Sequence, residues 1–265
     1  MNEIVQLGTL PRSKLPDENA TTYETSSSYL TTLANLHLSH LTYQQNDVID
    51  SASDCRRKYI ARYLFRKLSL EGRLSHPGRN PGPFKLWCDD LRPANMLLNS
   101  NLELVAVIDW EFTYSAPVEF SHVPPWWLLI EQPEYWPDGI DAWVTAYEPR
   151  LQAFLAVLRE REDAFIQEGR LGEHQRLSLP MQESWASGDF WVMYAARKGF
   201  AFDVVFWKYL DARFFGAADG LDGDECEKRA GFLDEEIMEI GNLVDQKVEE
   251  LKTRVLAWEP EERLG

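Results

Sequence analysis

The chain has 265 residues, 45% apolar and 26% charged, a balance that suits a packed chain and excludes disorder as its main state. It carries 43 acids against 27 bases, a formal charge of -16, which excludes the basic face a nucleic-acid binder needs. The imbalance is uneven: residues 1–130 hold 14 acids and 12 bases, residues 131–265 hold 29 and 15. The acidic half reads either as a solvated helical surface or as an acidic site for a cationic ligand.

Residues 1–27 are polar and end in serines, so they read as an arm docked on the surface. The remainder, 28–265, reads as one domain. From Tyr29, apolar residues at Leu30, Leu33, Leu36 and Leu41 mark one helical face, with the serines as N-cap. His37 and His40 on that face read as core-edge packing, since a pair without a third ligand rarely holds metal. Ser53 and Asp54 predict the cap of a second helix, Cys55 to about Leu68. Six bases lie on it: Arg56, Arg57, Lys58, Arg62, Arg66 and Lys67. They read as a solvated face, with a phosphate or an acidic partner as the alternative.

After a Gly- and Pro-rich loop, Phe84–Cys88 predicts a strand, and Met96–Leu98 and Leu102–Ile108 predict two more. The apolar run from Leu104 to Ile108 suits a buried strand. Beyond Pro117 the pattern is helical. Pro125 is placed to open a helix. Longer helices are expected from Asp138 or Gly139 to Glu168, and over Gln182–Arg197, Phe200–Phe215 and Asp224–Trp258, the last with a break near Gly241. Gly216–Gly223 reads as a connector. The fold class is therefore mainly α with a small β-hairpin element (α+β).

Cys55, Cys88 and Cys226 are widely spaced and form neither a disulfide framework nor a zinc site. The first residues lack the blocks of a signal peptide, and no apolar stretch is long enough to span a bilayer. The expected location is cytoplasmic, with no membrane and no nucleic acid as partner.

The chemistry concentrates in Cys88-Asp89-Asp90-Leu91-Arg92-Pro93-Ala94-Asn95 and in Val107-Ile108-Asp109-Trp110-Glu111. Asp90 follows a strand, Asn95 precedes the next, and Asp109 ends the third. Strand–loop–hairpin geometry can gather all three at one end of the sheet. Two carboxylates and an amide oxygen are hard donors suited to Mg2+, which commonly also carries phosphates. The alternative is that Asp90 and Asn95 form turns and Asp109 caps one.

These residues resemble the H-G-D-x-x-x-x-N loop and the hydrophobic-I-D-[FW] segment of the aminoglycoside phosphotransferase family, and the Pro124-Pro125-Trp126-Trp127 stretch resembles its fungal members. That family is kinase-like and includes choline kinases. The resemblance, from about residue 25 onward, implies an ATP- and Mg2+-dependent phosphotransferase with a hydroxyl-bearing small-molecule acceptor. It implies Asp90 as the catalytic Asp, and Asn95 and Asp109 as the residues that hold Mg2+ and, through it, the nucleotide. Arg92, two residues past Asp90, reaches the transferring phosphoryl group or pairs with Asp89 or Glu111. Glu111 reads as a structural hydrogen-bond acceptor. Cys88 and Asp89 stand where the family pattern has His and Gly, and Cys88 reads as a small buried packer.

In the family, helices after the motif line the acceptor pocket. Glu131, Trp136 and Asp138 are the candidates here, within a run that also holds Trp126, Trp127, Glu134, Tyr135, Asp141 and Trp143. They suit a cationic acceptor, against the plainer reading of an aromatic core with exposed acids. Residues 1–83 contain no Gly-rich strand–turn–strand unit and no strand lysine of the family's kind. The chain thus reads as a kinase-like C-terminal lobe whose β lobe is missing. A partner or a further segment would supply that lobe, or the chain is an inactive binding module or an incomplete gene product.

Overall fold

The structure is a computed structural model. It describes all residues except 1–9, 11–21, 45–47, 217–224, 234–236 and 254–265. In chain order the main elements are α1 (Ser26–Tyr43), α2 (Ala52–Leu70), β1 (Phe84–Cys88), β2 (Met96–Leu98), β3 (Leu104–Val107) and β4 (Thr113–Pro117). The short α3 (Val118–Ser121) leads to α4 (Gly139–Gln167), α5 (Ser178–Ser187) and α6 (Asp189–Arg197). Then follow α7 (Phe202–Val205), a π turn (Phe206–Leu210), α8 (Asp211–Phe215), α9 (Glu225–Ala230) and α10 (Ile237–Thr253). The fold is mostly helical with two small antiparallel sheets. Among the described residues no helix is long and apolar enough to cross a membrane.

The chain forms two compact units, one from residues 1–81 with 195–265 and one from 82–194. In the first, α1 starts earlier than its apolar spacing suggests. Thr25 is the N-cap and accepts from Ser28 N, so Ser26 and Ser27 of the expected arm lie inside the helix. Ser26 N also donates to Asn80 O, 2.9 Å. Most of the arm, and most of the connector at 216–223, fall outside the described residues. In α2, Ser51 is the N-cap rather than Ser53 or Asp54. The buried face of α2 includes Tyr59, Leu64, Phe65 and Leu68.

The basic run on α2 is not wholly solvated. Arg62 is buried, and its guanidinium donates to both oxygens of Asp203, at 2.5 and 3.0 Å. His37 is a core residue: its Nε2 lies 3.1 Å from Ala196 O and its ring packs on Phe65 and Phe202. Burial first, then the Arg62 charge, lowers His37 to a pKa of about 3, and the same two causes lead in lowering His40 to about 4. Within the described residues the expected helix 224–258 leaves the helical form at 231–233, and Gly241, where a break was expected, lies inside α10. Lys247 of α10 is fully buried, and its Nζ donates to Gln44 O and Glu250.

In the second unit, α4 spans the range expected of it. Ile140, Trp143, Tyr147, Leu151 and Leu155 recur every three or four residues and are all buried. Trp143 stacks on Tyr147 with ring centroids 4.3 Å apart and meets Trp185, Phe190 and Trp191. The polar edges of these rings are satisfied locally: Trp143 Nε1 donates to Glu131 O and Tyr147 OH to Pro125 O. Pro125 precedes only a single 3-10 turn, Trp126–Leu129. The expected helix 182–197 is split at Gly188, whose φ of 81° suits glycine.

The sheets depart from expectation in two ways. β1 pairs not with β2 or β3 but with β4, an unexpected strand, from Phe84 opposite Pro117 to Cys88 opposite Thr113. β2 and β3 form a separate hairpin. The run at 104–108 is also not buried, since Leu104 is 58% and Val105 60% exposed.

Candidate functional site

The site grows from the end of β1. Cys88 is buried there, and its Sγ lies 3.9 Å from Asp109 O. Asp89 follows, with its carboxylate accepting from Trp87 Nε1 at 2.8 Å and Tyr114 OH at 2.9 Å. Trp87 and Tyr114 are opposite each other in the β1–β4 register, so the strand pair fixes this brace. Asp89 is the residue whose importance the sequence did not reveal. The signal was present as Trp87 near the end of β1 and Asp89 just past it, but Tyr114 is brought to them only by a long-range pairing.

Asp90 and Asn95 meet directly. Asn95 Nδ2 donates to Asp90 Oδ2 and to Asp90 O, both at 2.8 Å, and Asn95 is only 5% exposed. Pro93 starts a 3-10 turn over Pro93–Asn95 that closes the loop, with Asn95 N donating to Arg92 O. Arg92 turns back onto the same carboxylate, Nε to Oδ1 2.8 Å. It therefore pairs with Asp90, not with Asp89 or Glu111. Both oxygens of Asp90 are thus engaged.

Asp109 joins this end of the hairpin through the backbone. Ile108 N donates to Asn95 O at 2.9 Å, directly before Asp109. Asp109 itself is exposed and adopts the left-handed conformation, φ 59° and ψ 54°, which is uncommon for a non-glycine residue. Its carboxylate takes no hydrogen bond or ion pair from the described residues. Glu111 is exposed in the following 3-10 turn and likewise accepts no bond from them, contrary to a structural acceptor role.

The amide oxygen of Asn95 and the carboxylate of Asp109 are the donors left open to a cation, and both are hard oxygens of the kind Mg2+ takes. Among the described residues no group of three or more His, Cys, Asp or Glu is placed to hold a metal. All three cysteines are buried and none is in a disulfide.

The acceptor-side candidates lie on the segment entering α4. Glu131 and Asp138 are exposed, and Trp136 is half-buried. Glu131 accepts from Gln132 N, and Asp138 is the N-cap position of α4 without a side-chain capping bond. Of their neighbours, Trp143 belongs to the core, and Glu134 accepts from Tyr194 OH at 2.8 Å. No family model, curated protein or solved structure matches the chain.

Proposed function

We propose that this chain is an ATP- and Mg2+-dependent phosphotransferase of the aminoglycoside phosphotransferase kind, acting on a hydroxyl of a small, cationic acceptor. What carries the reading is the Asp90–Asn95 side-chain bond, with Asp109 tied to the same loop through Ile108 N and Asn95 O. A second support is the unpartnered, left-handed Asp109, since backbone strain of this kind gathers at functional sites.

Asn95 Oδ1 and the Asp109 carboxylate would hold Mg2+. Bound there, the ion would neutralise nucleotide phosphate charge. Asp90 accepts the hydroxyl proton as the acceptor oxygen bonds to the terminal phosphorus and the bond to the ADP oxygen breaks. Arg92 exchanges Asp90 for phosphate oxygens, which guanidinium matches. Glu131, Trp136 and Asp138 face the acceptor's positive charge. A β-rich segment or partner covers the nucleotide, because the described residues ahead of Phe84 include no strand.

The engagement of both Asp90 oxygens favours a second reading, a binding module without turnover. One experiment separates them. ATP with Mg2+ should raise the melting temperature. Asp109→Ala should abolish the rise, and Asp90→Ala should keep it while losing phosphate transfer to an amino-alcohol panel. A rise without transfer in the unaltered chain supports the binding module. No rise at millimolar nucleotide overturns the phosphotransferase reading and favours a module that binds another ligand.

A further inference from the structure

The β2–β3 hairpin is apolar on both sides and covered on neither. Successive strand residues point to opposite faces, so Leu97 and Leu98 belong to different sides, and both are exposed. Leu102, Leu104, Val105 and Ile108 complete the surface, and the six residues are exposed by 42% to 79%. Continuous apolar runs, unlike alternating ones, belong to strands with cover on both faces.

The tip of the hairpin breaks a local rule as well. Asn99 Oδ1 accepts from Asn101 N and Glu103 N, both at 2.9 Å, which holds the turn. Leu102 is carried there at φ 63°, a left-handed position that glycine fills at less cost. It is also the most exposed of the six, so the strain is not offset by burial among the described residues. Strain of this kind gathers at surfaces that make contact.

The chemistry of the patch selects its partner. From Pro93 to Ile108 the one charged residue is Glu103, and its carboxylate accepts from Asn99 Nδ2 at 2.7 Å. An acidic or basic partner finds almost nothing to pair with there. The complement is uncharged, apolar and no larger than a hairpin. The same hairpin on a second copy meets all three conditions, and it lets two chains of charge -16 meet with a single acid on each side. Six side chains of roughly 100 Å² each, about half exposed, offer on the order of 300 Å² per copy, the size of patch that is often functional on a monomer. Two such patches give roughly 600 Å², which is below a stable complex and suits a weak, reversible one.

We infer that two copies of the chain associate hairpin to hairpin, through Leu97, Leu104 and Val105, in a closed twofold contact. The inference does not rest on the phosphotransferase reading. The test is sedimentation velocity of the full chain from about 1 to 300 μM, without nucleotide. The expected result is a reversible monomer–dimer equilibrium with Kd of about 10–100 μM. Salt raised from about 0.15 to 0.5 M should not weaken it, because no ion pair holds it. Val105→Glu sets like charges against each other and should weaken association at least about tenfold. Leu97→Glu on β2 serves as the second variant if Val105→Glu does not fold. Leu179→Glu, at an exposed leucine of α5, should leave association unchanged. Four outcomes overturn the proposal: a monomer throughout, dimers unmoved by the hairpin variants, dimers weakened equally by Leu179→Glu, or growth beyond the dimer. A monomer that binds phosphatidylcholine vesicles, and loses them in Val105→Glu, would assign the patch to a lipid surface instead.

Discussion

Trp143 and Val105 belong to the same compact unit, and both are apolar residues in regular structure. Trp143 is fully buried, whereas Val105 is 60% exposed. Around Trp143, aromatic rings from α4, α5 and α6 pack together, some stacked and some face to edge, while Trp143 Nε1 and Tyr194 OH each donate to an acceptor. Around Val105, Leu97, Leu98, Leu102, Leu104 and Ile108 are all exposed by 42% or more. A two-stranded hairpin has no second layer of its own and is marginal alone in water. Apolar composition therefore sets the tendency to be covered, while the local supply of neighbouring elements decides whether covering happens.

The sharpest way to break this comparison is to empty each region. Trp143→Ala should cost about 3–5 kcal/mol, read as a fall in the urea midpoint at unchanged slope. A cost near that of a surface change would show that the aromatic cluster is not the core of its unit.

A second test reads buried helix faces through pH. Burial holds His37 at about 3 and His40 at about 4, against 6.5 in the unfolded chain. Between those values the unfolded chain binds protons that the folded chain refuses. The stability from each neutral histidine is thus complete above pH 6.5 and is lost as pH falls toward 3 or 4. Each contributes a slope of about 1.4 kcal/mol per pH unit in that window. His37→Gln should remove one such slope from stability measured between pH 6.5 and 4.

The smallest effect is expected in the hairpin. Leu104→Thr with Val105→Thr should change stability by less than about 0.5 kcal/mol each and reduce binding of an apolar dye. A loss comparable to that of Trp143→Ala would mean the hairpin is structurally covered in solution.

The sequence reveals what short-range repetition encodes. The helix α4 was legible because Ile140, Trp143, Tyr147, Leu151 and Leu155 repeat at helical spacing over many turns. The strand β4 was not, since Thr113–Pro117 shows no clear alternation, ends in proline and forms only against β1, some 30 residues away. The apolar run at 104–108 reports β propensity and says nothing of what covers it. At the site, the five-residue spacing of Asp90 and Asn95 left two readings open, donors gathered for a cation or a pair of turn residues. The pairing of Arg92 with Asp90 and the Trp87–Asp89–Tyr114 brace depend on loop conformation and strand register, which spacing does not encode.

The division of the chain bears on its birth. Residues 82–194 are continuous and can fold as soon as they leave the ribosome. The other unit cannot, because its early helices await the late ones. Arg62 lacks Asp203, His37 lacks Ala196 O, and the Gln44 carbonyl lacks Lys247 until those residues are made. At about 5–20 residues per second the delay is of order ten seconds, during which α1 and α2 have each other but not the late helices that complete their burial. The nascent chain is therefore expected to need a chaperone most in the interval between its first and last helices.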